Sequence, residues 1–135
     1  MTEAIETLII GAGQAGLSLS YHLTQRGRPH LLLEQADCLA DPWRNQRWDS
    51  FTLVTPNWQI NLPGGEYRGI TPDGFMPRDE VVSYLEGYAA SFKAPVRLGV
   101  RVTAVDHDNS EYRVQTNQGD YRAANVVVAT GIFQQ

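Results

Sequence analysis

The sequence predicts an α/β domain built on a parallel sheet with an antiparallel meander attached. Three observations carry this. An apolar strand, a glycine-rich turn, a helix and a second apolar strand follow one another at the start of the chain. An amphipathic helix lies near its middle, and alternating segments broken by a polar turn come after it.

Thr7 to Ile10 reads as the first strand, a short apolar run before glycine. Gln14 to about Arg26 carries the stripes Ala15-Leu19-Leu23 and Leu17-Tyr21 at i, i+4 spacing, which suits a helix lying on a sheet. Gly27 ends it and Pro29 prevents its resumption. His30-Leu31-Leu32-Leu33 is continuously apolar, as a parallel strand covered on both faces should be, and ends at Glu34. From about Gln35 to Pro77 neither period is present, although this tract holds Trp43, Trp48 and Trp58; a long aperiodic stretch in a compact domain is usually functional. Arg78 to Phe92 restores a helical stripe through Val81, Leu85, Tyr88 and Phe92, with Asp79 and Glu80 placed where the helix dipole favours them. Val96, Leu98, Val100, Val102 and Ala104 alternate with polar or small residues, predicting one half-buried strand. Tyr112-Val114-Thr116 and Tyr121-Ala123, across Asn117-Gln118-Gly119, extend this into a meander, and Val126 to Ala129 should rejoin the buried sheet.

The 135 residues are of single-domain size, with 42% hydrophobic and 19% charged residues. Disordered, collagenous and coiled-coil classes are thereby excluded. The net charge of −4, without a basic cluster, argues against nucleic acid as a partner. Cys38 is the single cysteine, so no internal disulfide or Cys-rich zinc site is expected. The acidic start lacks a positive signal-peptide region, and no apolar run is long enough for a bilayer. A cytoplasmic protein without membrane or metal partners is the expectation. His22, His30 and His107 have no ligand spacing with one another or with Cys38. Asp79 and Glu80 diverge on a helix, and no G-x-S-x-G anchors a hydrolase.

The chemistry sits at Gly11-Ala12-Gly13-Gln14-Ala15-Gly16, a G-x-G-x-x-G between the first strand and first helix, with Glu34 closing the second strand. Gly11 permits the tight turn, Gly13 lets the backbone approach a pyrophosphate, and Gly16 lets helix and strand pack closely. The amides at the helix start then face the phosphates. A carboxylate at Glu34, followed by Gln35, suits a ribose diol and repels a 2′-phosphate, so the dinucleotide is FAD or NAD. Ala129-Thr130-Gly131 ends the last buried strand with small residues, allowing a ligand to cross the sheet edge. The aromatic tract around Trp43 offers a wall for a large flat ring.

Over essentially its whole length the chain resembles the amino-terminal segment of the class B flavin-dependent monooxygenases. It is most similar to a bacterial branch labelled as cation- or potassium-transport flavoproteins, and it is similar to the YUCCA-type enzymes. GAGQAG, RWDS, LVTPNW, NLPGG, PDGFMPRDEVVSYLEGYA, PVRLGVRVTAV and VVVATGIFQ carry the likeness. The resemblance implies a Rossmann-like FAD-binding fold, with Gly11, Gly13 and Gly16 at the pyrophosphate and Glu34 at the adenosine ribose. It also places Trp43 beside the flavin, the Val102 backbone at adenine, and Ala129-Thr130-Gly131 as the family's ATG turn. For the complete enzyme it implies reduction of FAD by NADPH, addition of O2 at flavin C4a, and oxygenation of a small molecule by the peroxyflavin. Residues 1–135 are then the front portion of the FAD domain, a fragment or truncated product ending where an NADPH domain would begin.

The chain departs from the family pattern in reading Ala40-Asp41-Pro42-Trp43, where a glycine pair is usual shortly before the tryptophan, and in having Thr52 where an arginine is usual. Two other readings stay open: an FAD- or NAD-linked dehydrogenase or reductase, with the absent CxxC weighing against a disulfide reductase, and a non-catalytic dinucleotide-binding module. No catalytic residue is named, and substrate and any homo-oligomer are left open.

Overall fold

A computed structural model of the chain describes residues 2–45, 48 and 50–131; Gln46, Arg47, Asp49 and the closing Ile132-Phe133-Gln134 of the family motifs lie outside the described residues. Eight strands and three α-helices are described: β1 (Thr2–Ile10), α1 (Gln14–Gln25), β2 (His30–Leu33), α2 (Asp41–Asn45), β3 (Asn61–Leu62), β4 (Gly65–Glu66), α3 (Arg78–Ser91), β5 (Val96–Arg97), β6 (Val102–Asp108), β7 (Glu111–Thr116) and β8 (Gly119–Val128).

The main sheet has the order β5-β2-β1-β8-β7-β6. β5, β2, β1 and β8 run parallel, and β7 and β6 add antiparallel to β8 as the meander. β1 is therefore central, and its Leu8 and Ile9 are completely buried. Ile9 and Leu32 meet Leu17 of α1 and Tyr88 and Ala89 of α3 on one side. Leu8 packs with Leu31, Leu33, Val100, Val114 and Tyr121 in a second cluster. Burying one such Leu or Ile side chain contributes about 1.5–3 kcal/mol, so these two clusters hold the sheet that positions the site.

The first strand starts earlier than the apolar run indicates. Thr2 to Ile5 pair in register with Asp120 to Ala123, although Thr2, Glu3 and Ala4 are exposed. Backbone pairing to β8 extends the strand where side-chain patterning carries no signal. On α1 the buried face is Gly16, Leu17 and Ser20, while Ala15 is exposed. Gly27 ends the helix at φ +64.

The alternation from Val96 to Ala104 is not one strand. β5 stops at Arg97, Gly99 turns at φ +69, and the chain crosses to β6 at the opposite edge of the sheet. Leu98 is consequently 43% exposed, whereas Val100 is buried. Val126 to Val128 do lie in the parallel sheet beside β1, but β7 pairs β8 only as far as Ala123, and Val128 is 70% exposed.

The aperiodic tract is ordered by pieces too short to have a period. These are α2, a 3-10 turn at Asn57–Gln59, the β3–β4 hairpin, and a bridge from Thr52 to Pro77. Ala40, Met76, Val81, Val82 and Leu85 form its own core, with Trp43, Leu53 and Ile60 packed against it. The Tyr84 and Tyr88 hydroxyls of α3 donate to the Gly65 and Pro63 carbonyls and hold the hairpin down.

Candidate functional site

The parallel strands β2, β1 and β8 end side by side, and a cleft of about 670 Å³ opens at their C-terminal ends. Its rim is set by backbone contacts. Gly11, at φ +107, donates its amide to the Leu33 carbonyl at 2.8 Å, and the Ala129 amide donates to the Ile10 carbonyl at 2.8 Å. A Cβ on Gly11 would run into the Ala129 carbonyl, and one on Gly16 into the Gly11 carbonyl. These two glycines are thus demanded by close backbone approach. Gly13 is different: its backbone is extended at φ −86, and a Cβ there would meet no atom within 4 Å. The space in front of it belongs to the cleft.

Gly13 also caps α1 without a side-chain bond, and the first amide to bond within the helix is that of Leu17, to the Gly13 carbonyl at 2.9 Å. The amides of residues 14–16 therefore have no partner within the helix, which makes this end an anion cradle with the positive pole of the helix behind it.

Glu34 faces that cradle and is fixed at every polar atom. Its amide donates to the Arg97 carbonyl at 3.0 Å, and its carbonyl accepts from Val100 at 2.9 Å. Oε1 accepts from the Ala12 amide at 3.1 Å and Oε2 from the Ala36 amide at 3.0 Å. Each carboxylate oxygen keeps a second acceptor position. The carboxylate is thus oriented at the edge of the cleft by two backbone amides before any ligand arrives.

Of the residues singled out from sequence, Gly11, Ala12, Gly13, Gln14, Ala15, Glu34, Gln35, Trp43, Val102, Ala129, Thr130 and Gly131 all line this one cleft. Gly16 lies beneath it. Sequence reasoning missed Ala36, whose amide bonds the carboxylate two residues before it, Val100, which the Gly99 turn brings back against Glu34, and Leu85, whose place in a helical stripe reads as core only. The expected aromatic wall is narrower than the tract suggests. Trp43 lines the cleft with Phe51 behind it at 5.5 Å, whereas Trp48 and Trp58 are 66% and 59% exposed. Ala40, just before α2, adopts φ +60, so the backbone takes a left-handed path there without glycine.

A smaller cavity of about 270 Å³ adjoins the cleft through Gln14 and Leu85 and is bounded by Leu53, Thr55, Met76 and Tyr84. Burial raises the Tyr84 hydroxyl pKa and pushes that of Tyr88 up to about 12. Both stay neutral donors at physiological pH. His30 bonds Ser20 Oγ at 2.7 Å and the Arg28 carbonyl at 2.9 Å, a packing role. Among the described residues no group of three His, Cys, Asp or Glu could hold a metal ion, and no helix is long and apolar enough to cross a membrane.

A parallel sheet ending at a glycine cradle, opposite a fixed carboxylate, defines a dinucleotide-binding α/β domain. The model of the pyridine nucleotide-disulphide oxidoreductase family matches residues 8–135, and the chain belongs to that family. An oxidoreductase described as CzcO-like from Geobacillus kaustophilus is 40% identical over the whole chain, which covers 38% of that protein. The probable indole-3-pyruvate monooxygenase YUCCA1 of Arabidopsis thaliana is 34% identical over 92% of the chain and 30% of its own length. A flavin-containing monooxygenase from Stenotrophomonas maltophilia superposes with a TM-score of 0.84 at 30% identity, over 96% of this chain and 39% of that one. The fold is therefore the Rossmann-like FAD-binding domain of the flavin monooxygenases, and the chain spans about a third of the length of the relatives it matches.

Proposed function

We propose that residues 1–135 form the FAD-binding portion of a flavin-dependent monooxygenase. The observation that carries this is the pairing of the open space before Gly13 with the four-point fixation of Glu34. In this assignment the pyrophosphate lies against Gly13 and the backbone amides of Gln14 and Ala15, Gly11 and Ala12 shape the turn with amides already bonded to Leu33 and Glu34, and Gly16 keeps helix and strand close. Glu34 and Gln35 take the adenosine ribose, Val102 bounds the adenine, and Ala129, Thr130 and Gly131 let the dinucleotide cross the sheet edge. Trp43 walls the flavin end.

Bound there, FAD supplies two-electron redox chemistry and, once reduced, activation of O2. The contribution of these residues is to bind, orient and partly shield it. NADPH as reductant and a small organic substrate complete the reaction proposed for the whole enzyme, on the strength of the resemblance to class B monooxygenases and of the monooxygenases among its relatives. A cytoplasmic location belongs to the same proposal and rests on the single cysteine.

The test is titration of purified protein with FAD, followed by flavin fluorescence and visible absorption, with NAD as competitor. Saturable FAD binding that NAD does not displace supports the reading. Preference for NAD would favour a dehydrogenase, and binding of neither would sink both.

A further inference from the structure

The cleft wall at Trp43 rests on a helix too short to hold itself. α2 has five residues, none of them buried, and an isolated helix of that length is unstable in water. It departs from Ala40 at φ +60, whose carbonyl accepts from the Trp43 amide at 3.0 Å and the Arg44 amide at 3.1 Å. Arg44 ties this turn to two further points. Its Nε donates to the Leu39 carbonyl at 3.3 Å, and its Nη2 donates to Glu86 Oε1 on α3 at 2.6 Å. Glu86 follows Leu85, which lines the cleft from the α3 side. One guanidinium thus fixes both the entry to α2 and its separation from α3.

We infer that Arg44 is a positioning residue for the cofactor: through Glu86 it holds the Trp43 wall at the width that accepts the flavin end of FAD. This rests on the FAD reading above. The side chains of Arg44 and Glu86 are 36% and 50% exposed, so the pair adds little to stability. Affinity is more sensitive, because a loosened wall must be ordered at the expense of binding energy.

The experiment is FAD titration of the intact protein and of Arg44→Met, Glu86→Ala, the double variant and Arg44→Lys, with thermal melting of each cofactor-free protein. Each of the first two should raise the Kd about five- to tenfold. The double variant should be no weaker than Arg44→Met, since both remove one link. Arg44→Lys should recover part of the loss, and melting should stay within about 2 °C. High salt should narrow the gap between wild type and variants, because the pair is open to screening. Unchanged affinity, additive losses, or melting temperatures that fall in step with affinity would overturn the inference. Wild-type protein that binds no FAD would overturn the underlying reading as well, a result distinct from normal binding by every variant.

Discussion

Gly13 and Gly16 belong to the same fingerprint, yet the structure assigns them opposite consequences when a methyl group is added. At Gly13 the backbone is extended and a Cβ meets nothing within 4 Å, so Gly13→Ala should fold normally. Restricting the unfolded chain should even add about 0.4–1 kcal/mol. The same methyl occupies the space in front of the helix amides. Loss of two charge-assisted bonds to a diphosphate, about 1.5 kcal/mol each at the low end, weakens FAD binding about a hundredfold. At Gly16 the Cβ collides with the Gly11 carbonyl, and Gly11 is pinned by its own bond to Leu33. Gly16→Ala should therefore cost about 1–3 kcal/mol or more of stability, lowering the melting temperature by roughly 3 °C per kcal/mol. Urea titration of cofactor-free protein together with FAD titration separates the two effects. A Gly13→Ala protein that binds FAD like wild type, or that unfolds at lower urea, would refute the placement of the cradle.

Ala40→Gly should leave the urea midpoint near wild type, because removing about 1–2 kcal/mol of left-handed strain offsets the added chain entropy and the lost buried methyl. Ala89→Gly, inside α3 and buried, should by contrast lose about 1 kcal/mol or more in the same assay. Asn57 is 2% exposed and donates to the Thr71 carbonyl at 3.0 Å, so Asn57→Ala should cost about 1–3 kcal/mol, read as a shift in unfolding midpoint. Tyr88 has its pKa raised from 10.0 to about 12 by burial, so the unfolded state ionises first. Stability from this group is complete below pH 10 and is lost as pH rises towards 12, by up to about 2 kcal/mol, and Tyr88→Phe should flatten that alkaline limb. At the acid end, Arg97 binds Glu3 through two bonds of 2.6 and 3.0 Å and holds its carboxyl below the usual 4.5. That contribution is present at neutral pH and disappears as pH falls below 4.5 through the depressed value; Glu3→Gln should remove this part of the acid dependence in a pH-melting series.

The strand–turn–helix–strand opening, α3 and the meander were legible because their side chains report burial at a regular period. Leu17, Leu32 and Val114 are buried where the pattern places them. The break at Leu98–Arg101 was not legible, since alternation continues through it and only Gly99, by its positive φ, marks the turn. The first half of β1 was hidden for the opposite reason: it is held by backbone pairing to β8 while Thr2, Glu3 and Ala4 are exposed. At the cleft, Gly11 and Gly16 could be named because close backbone approach admits no side chain there. Ala36 and Val100 serve through their backbones, a role almost any side chain permits, and so leave no trace in the sequence.

The central ribbon has one neighbour formed from nearby residues and another from far along the chain: Asn125, beside Thr7, lies 118 residues away. During synthesis Leu8 and Ile9 therefore wait, half covered, until almost all of the described polypeptide has emerged. A contact so distant in sequence is slow to close and leaves a sticky edge available to other nascent chains meanwhile. Production at low temperature or with chaperones should raise the yield of folded protein more than any change to its surface.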